Sequence, residues 1–450
     1  MARNLSRSKA VVARDHQVYT AASKIPYFPL VVDHGHGATL VDVDGNEYLD
    51  FLSSAASLNT GHAHPKIVAA VKQQAEKFLN YTVVYAYHEP AVDLAEKLVQ
   101  IVPVPAPKKV TYGMSGSDAN DGAMKLIRRA TGRPRILAFL RSYHGSTYGA
   151  ATLSAVALNM TRGLGPMVPD VYHVPFADCY RCPYGQTYGQ CRFECVSFIE
   201  YLFNSAVPAD EVAGMILEPV QGDAGIIVPP PEFMCGLKRL CDQYGILFVA
   251  EEVQSGMGRT GRWFAIEHWD IAPDVIVLGK ALGAGMPLSG IVARQELMDA
   301  WELPAHLFTN GGNAVCCAAA LANIAVIEEE KLIERAATLG ERIMAHFREM
   351  QTRYELIGDV RGKGLMIGVD LVKDRQTKER ARDEAAKVCM RCYEKGVILS
   401  FFSNSVLRIA PPLVVSDAEV ERALEVIEDS ICEVQEGRVP DDIIRDTKGW

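Results

Sequence analysis

At 450 residues and 49% hydrophobic content, the chain can bury a large core and has the length for two domains. A formal net charge of -9 and the lack of any basic stripe exclude a nucleic-acid surface, which must neutralise phosphates. No apolar run reaches the roughly 18 residues of a membrane span, and the start lacks the apolar middle of a secretory signal, so a cytoplasmic globular protein is expected.

Residues 1–14 carry Arg3, Arg7, Lys9 and Arg14 without an acid, which allows a transit peptide but reads sooner as a solvated arm. Residues 38–43 and 47–51 are predicted to form a hairpin turned through Asp44, Gly45 and Asn46. From Lys109 onward, short β-rich runs at 109–114, 135–140, 213–220, 246–253 and 275–278 alternate with helical patterns. That alternation predicts an α/β fold, a mostly parallel sheet covered by helices. One crossover helix is plain: Phe233, Leu237, Leu240, Cys241 and Tyr244 recur at helical spacing, and Gly245 stands where a glycine cap ends a helix. Past about Glu328 the pattern becomes a long charged helix towards Arg353, then a strand-and-turn region at 354–370 and helices at 381–395 and 416–434. The expected division is an N-terminal segment, 1–75, joining a small C-terminal domain, 331–450, around a large domain, 76–330.

In open parallel sheets, ligands bind beyond the carboxyl ends of the strands, so the residues after each run carry the functional reading. The segment GMSGSDANDGAMKLIRR, 113–129, follows a strand and opens a helix, which aims backbone N–H groups around Gly116 and Ser117 at an anion. The plain alternative is that Ser117 only caps the helix. In SYHGSTYG, 142–149, Tyr143 offers a flat ring and the glycine lets the backbone turn closely. The run ILFVAEE ends an apolar strand in Glu251 and Glu252, a costly placement unless one of them meets a buried cation. VIVLGK ends another strand in Lys280, a residue type that taken alone is usually solvated. Anion cradle, flat ring, acid and lysine together are the four parts of a pyridoxal 5'-phosphate site.

Three other features have two readings each. Cys179, Cys182, Cys191 and Cys195 form a CxxC and CxxxC pair whose spacing suits a structural zinc loop, or else reduced thiols under a long insertion. His34, His36, His62 and His64 lie among glycines, which favours turn or pocket residues over metal ligands. GMGRTG, 256–261, matches a dinucleotide fingerprint but follows two carboxylates and precedes no helix start, so a nicotinamide dehydrogenase is not expected.

The stretches SGSDANDGAMKLIR, SYHGST, LEPVQGDAG, EEVQSGMGRTG, GKALGAGMPLSG, TNGGN and LRIAPPL resemble the motifs of the class III, fold type I aminotransferase family, over nearly the whole chain. The resemblance implies a large domain with a mostly parallel seven-stranded sheet and a smaller α+β domain built from both termini. It also implies that Lys280 joins the cofactor as an imine, Gly116 and Ser117 hold its phosphate, Tyr143 stacks on its ring, and Gln254 contacts the ring hydroxyl. Glu251 stands where the family usually has Asp, facing the ring nitrogen. Thr309 would reach the phosphate of a neighbouring subunit, which implies a homodimer or tetramer. Arg408 would grip the substrate carboxylate, with Glu218 supporting the site. Ser146 replaces the arginine that some members carry after the His-Gly, so a second carboxylate clamp is not expected.

VVDHGHGATLVDVDGN, YHGSTYG, PAHLFT and RIAPPLV further resemble the branch of that family containing isoleucine 2-epimerase and broad-substrate amino-acid racemases. That likeness implies inversion of neutral, aliphatic amino acids by two bases, Lys280 and Asp223, the latter being the one carboxylate in LEPVQGDAG beyond Glu218. An ordinary aminotransferase shares every cofactor residue and is the alternative.

Overall fold

A computed structural model describes residues 3–445 and 447; Met1 and Ala2 of the expected N-terminal arm lie outside them. The chain divides into two compact units, residues 65–334 and the two flanking segments, up to His64 and from Arg335.

The unit of residues 65–334 holds a seven-stranded sheet. Its order is Lys108–Gly113, Ser289–Arg294, Val275–Leu278, Leu247–Glu251, Val212–Leu217, Arg135–Phe139 and Val171–Val174. All neighbours are parallel except Ser289–Arg294, which runs antiparallel to both of its partners. Strands 212–217, 247–251 and 275–278 are buried along their whole length, as continuous apolar runs in a covered parallel sheet must be. Their side chains meet Ala119, Ala123, Leu126 and Ile127 of the helix Gly116–Thr131 in the main core. The crossover helix Pro231–Tyr244 ends at Gly245 in the left-handed region (φ 63°), as its spacing predicts.

One difference from the sequence reading concerns a helix. The helix Pro65–Lys77 belongs to this unit, packed against Ala314–Glu329, rather than to the N-terminal segment. The long charged helix expected past about Glu328 is Leu332–Arg353; an apolar helix, Ala314–Glu329, precedes it and is parted from it at Lys331, whose φ of 51° no α-helix can continue through.

The other unit contains two sheets. Val32–His36, Thr39–Asp42 and Glu47–Asp50 form the hairpin and its neighbour, with Val397–Ile398 parallel to Glu47–Asp50. Ile357–Lys363, Met366–Asp374, Val406–Ile409 and Ser400–Phe402 form an antiparallel sheet. Arg408 lies on a central strand of that sheet, only 1% exposed, with its guanidinium 3.5 Å from the centre of the Phe402 ring. His62 is bound by Asp50 at 2.8 Å, and His34 by Asp33 at the same distance, so carboxylates of the first sheet's strands partner these two histidines. No helix among the described residues is long and apolar enough to cross a membrane.

Candidate functional site

Leu217 pairs with Ala250 and Glu251 with Val277, so the carboxyl ends of the parallel strands lie level and deliver the following residues to one rim. Beside them, the strand Lys108–Gly113 passes into the helix Gly116–Thr131 through Ser115. Ser115 is the cap: its Oγ accepts the N–H of Asp118, and the Asp118 carboxylate accepts the N–H of Ser115 at 2.9 Å. The plain capping role considered for Ser117 therefore belongs to Ser115. Ser117 occupies the first turn, where backbone N–H groups have no acceptor within the helix. The second Asp118 oxygen accepts Ser289 Oγ at 2.8 Å, fixing the helix start to the antiparallel strand.

Glycines let the strand ends close on one another. A Cβ at Gly116 would stand 2.8 Å from Val253 Cγ1, and one at Gly279 would stand 3.1 Å from the same methyl and 3.4 Å from Gly116 Cα. The backbones before Lys280 and around the helix start are thus in near contact, with Val253 between them. Gly145, at φ 132°, leaves room for Ser117, whose Oγ accepts the N–H of Ser146 at 3.1 Å. Asn120 donates to the His144 carbonyl at 2.8 Å and closes the same junction.

At the centre of the rim are three buried polar groups. Glu251 ends its strand 3% exposed; one oxygen accepts the N–H of Val253 at 2.8 Å and the other lies 3.2 Å from His144 Nδ1. Glu218 accepts the N–H of Tyr143 at 3.0 Å and of Gly222 at 2.9 Å. Burial, then the Glu251 carboxylate, push Glu218 well above the usual carboxylate range, and His144 and the two N–H donors act against them. Glu252 turns away: it accepts Ser255 Oγ at 2.5 Å and the N–H of Ile266 at 2.7 Å, and burial holds it up at about 7. Of the two carboxylates that end this strand, Glu251 faces the site and Glu252 ties down the following turn.

Lys280 opens a turn, Lys280–Gly283, with φ 43°, a conformation costly for a lysine and stable only where its surroundings impose it. Fully buried Asn323 supplies part of that support by donating to the Ala281 carbonyl at 2.8 Å. Asp223 is 9% exposed on the tight loop after Glu218, and Gln254 Nε2 lies 3.4 Å from its Oδ1. A Cβ at Gly222 would strike the Gln254 amide at 2.4 Å, so the two loops are in full contact. Tyr143 is half-buried beside them. Thr309 lies apart and exposed, its carbonyl 3.4 Å from Asn80 Nδ2.

Within this unit, Tyr143 bonds Glu218 and Asp223 lies against Gln254, while Gly116, Ser117 and Glu251 adjoin them through Val253, Gly145 and His144, and Lys280 through Gly279. The sequence reading did not single out His144, although it sits inside SYHGST, nor Asn323. The cysteines at 179, 182, 191 and 195 line one small cavity in the loop before the helix Glu194–Ser205. Burial, reinforced by the neighbouring thiols, pushes Cys179 up to about 11 and Cys195 to about 12. No group of three or more His, Cys, Asp or Glu among the described residues is arranged to hold a metal ion.

A family model, aminotransferase class-III, matches residues 19–431. The leucine/methionine racemase of Thermococcus litoralis is 47% identical over 99% of this chain and 100% of its own length. The isoleucine 2-epimerase of Lentilactobacillus buchneri is 45% identical over 99% of both chains. Among solved structures, a thermostable omega transaminase 4-fold mutant from Pseudomonas jessenii superposes with a TM-score of 0.89, at 28% identity, covering 96% of this chain and 100% of that one.

Proposed function

The chain belongs to the class-III aminotransferase family, and we propose that within it the protein is a pyridoxal-phosphate-dependent racemase or epimerase of neutral, aliphatic amino acids. Two full-length relatives at 45% identity or more carry racemase or epimerase names. The observation that carries the reaction type is Asp223, a buried carboxylate fixed on its own loop against Gln254, beside Glu218 rather than in its place.

The residues present fit the cofactor. Gly116 and Gly279 leave a backbone cradle that a Cβ at either position would crowd, and the first-turn N–H groups of Gly116 and Ser117 suit a phosphate. Glu251, held by His144, would face the ring nitrogen; Tyr143 would lie on the ring and Gln254 near its hydroxyl. Thr309, exposed on the single chain, would serve the phosphate of a second subunit, which makes the working form a homodimer or a larger assembly. When bound, pyridoxal phosphate supplies the electron sink that lets a substrate α-proton leave.

The rest falls to this chain's own groups. Lys280 Nζ holds the cofactor and moves a proton at the α-carbon from one face. Asp223 moves a proton at the same carbon from the other face, and two bases on opposite faces are what inversion requires. Glu218, kept protonated more readily than an ordinary carboxylate by burial and Glu251, anchors the Tyr143 and Gly222 backbones that frame the two loops. Arg408 is proposed to hold the substrate carboxylate as a fork. The protein is proposed to act in the cytoplasm.

The test is chiral chromatography of L-leucine and L-isoleucine incubated with enzyme and cofactor but no 2-oxo acid. Inversion at the α-carbon alone gives D-leucine and D-allo-isoleucine. Products that form only when a 2-oxo acid is added, with loss of the amino group, would establish an aminotransferase instead.

A further inference from the structure

The reading of Asp223 as a second base leaves open what fixes its carboxylate at the required place. The loop that carries it is a strained turn. Gly225 and Ile226 both have positive φ, 106° and 54°, and for a β-branched residue such as Ile226 that is an outlier that only its surroundings can maintain. The base of the turn is closed from within: Gln221 and Ile227 exchange backbone hydrogen bonds at 2.9 and 3.1 Å, and the Gly222 carbonyl accepts the N–H groups of Gly225 and Ile226. The tip is held from outside. Arg141, just past the strand Arg135–Phe139, donates from one guanidinium nitrogen to the Ala224 carbonyl at 2.6 Å. Its other terminal nitrogen binds the buried Asp178 carboxylate. Arg141 itself adopts φ 67°, so the chain accepts a left-handed residue at the point from which this side chain reaches the loop.

We propose that Arg141 is the positioning residue for Asp223: it holds the carbonyl next to that residue in the chain and so sets where the second base stands. Asp178 orients the guanidinium, and the planar fork spans two acceptors that a lysine ammonium could not reach together in fixed geometry. The inference rests on the racemase reading above. It goes beyond it by assigning stereochemical outcome to a residue that acts through the backbone of the Asp223 loop. A structural alternative exists, in which Arg141 merely fastens the cysteine-bearing loop to the sheet.

The two are separated by comparing inversion with α-proton exchange. Holoenzyme, Arg141→Lys, Arg141→Gln, Asp178→Asn and Asp223→Asn are each given pure L- or D-leucine in deuterium oxide, and α-deuterium and enantiomeric ratio are followed together. If Arg141 positions Asp223, its variants and Asp178→Asn keep exchange from one enantiomer, served by Lys280, while inversion falls by about 10²-fold, the usual result of moving a reacting group by an ångström. They then behave as weaker copies of Asp223→Asn. Equal losses of exchange and inversion, or none, in Arg141→Lys and Asp178→Asn would overturn the inference while leaving Asp223 in its role. Undiminished inversion by Asp223→Asn would overturn the two-base reading itself.

Discussion

Gly116→Ala is the sharpest probe of how the site is packed. A Cβ at this position would stand 2.8 and 3.1 Å from the two Val253 methyls, against an optimum of about 3.5–4.0 Å between carbons. Either Val253 or the helix start must move by up to about 1 Å, and overpacking of this kind typically costs about 1–3 kcal/mol. Val253 already occupies the space beside Gly279, where even an added Cβ would stand only 3.1 Å from its Cγ1, so it has little room to yield on that side. The displacement therefore falls partly on the N–H groups of Gly116 and Ser117, and cofactor affinity should drop about tenfold, the equivalent of 1.4 kcal/mol. The assay is a double-mutant cycle with Val253→Ala, reading the urea midpoint and the fraction of cofactor retained after gel filtration. Removing the methyls should cost less in the Gly116→Ala background than in the parent, with a coupling of about 1 kcal/mol or more. A Gly116→Ala protein within about 0.5 kcal/mol of the parent that retains its cofactor, or a cycle with no coupling, would refute the packing argument.

His144→Phe should lower stability by about 1–3 kcal/mol and weaken cofactor retention, because it leaves the buried Glu251 oxygen without its ring nitrogen partner; thermal unfolding and the cofactor absorbance band report both effects. Glu252 should make stability fall as pH rises. Its folded value of about 7 lies above the model-compound 4.5, so the folded state binds the extra proton between those values and loses that advantage as pH climbs through them. At 1.36 kcal/mol per pH unit the fall is roughly 3 kcal/mol at most, and Glu252→Gln should flatten this part of the urea-unfolding profile. Alkylation at pH 8 should modify exposed Cys235 first, with Cys179 and Cys195 slow because burial keeps their thiols protonated; peptide mass mapping over time gives the order.

Much of this architecture is legible in the sequence because the strands at 212–217, 247–251 and 275–278 are buried throughout and so read as unbroken apolar runs, each leading at or just past its end into a polar residue that the sheet brings to one rim. The strand Val171–Val174 and the antiparallel Ser289–Arg294 escape the pattern, since four to six residues with serine, glycine, histidine or arginine among them carry little periodic signal. The helix Ala314–Glu329 is apolar nearly all round, so it shows no stripe, and its break at Lys331 is a matter of one backbone angle that composition does not record. The cap at Ser115 could have been found from its S-x-x-D spacing, which a second serine two positions on obscured. The pairing of His144 with Glu251 spans 107 positions and depends on sheet register, so no local pattern announces it. Arg141 and the Ala224 carbonyl are likewise joined only by the fold.

The central claim is that Asp223 and Lys280 act on opposite faces of one α-carbon. Its most direct test is the incubation of Asp223→Asn with each enantiomer of leucine in deuterium oxide, without a 2-oxo acid. Exchange of the α-proton for deuterium from one enantiomer only, with almost no inversion, is the predicted result. Inversion at the parent rate, or exchange from both enantiomers alike, would contradict it.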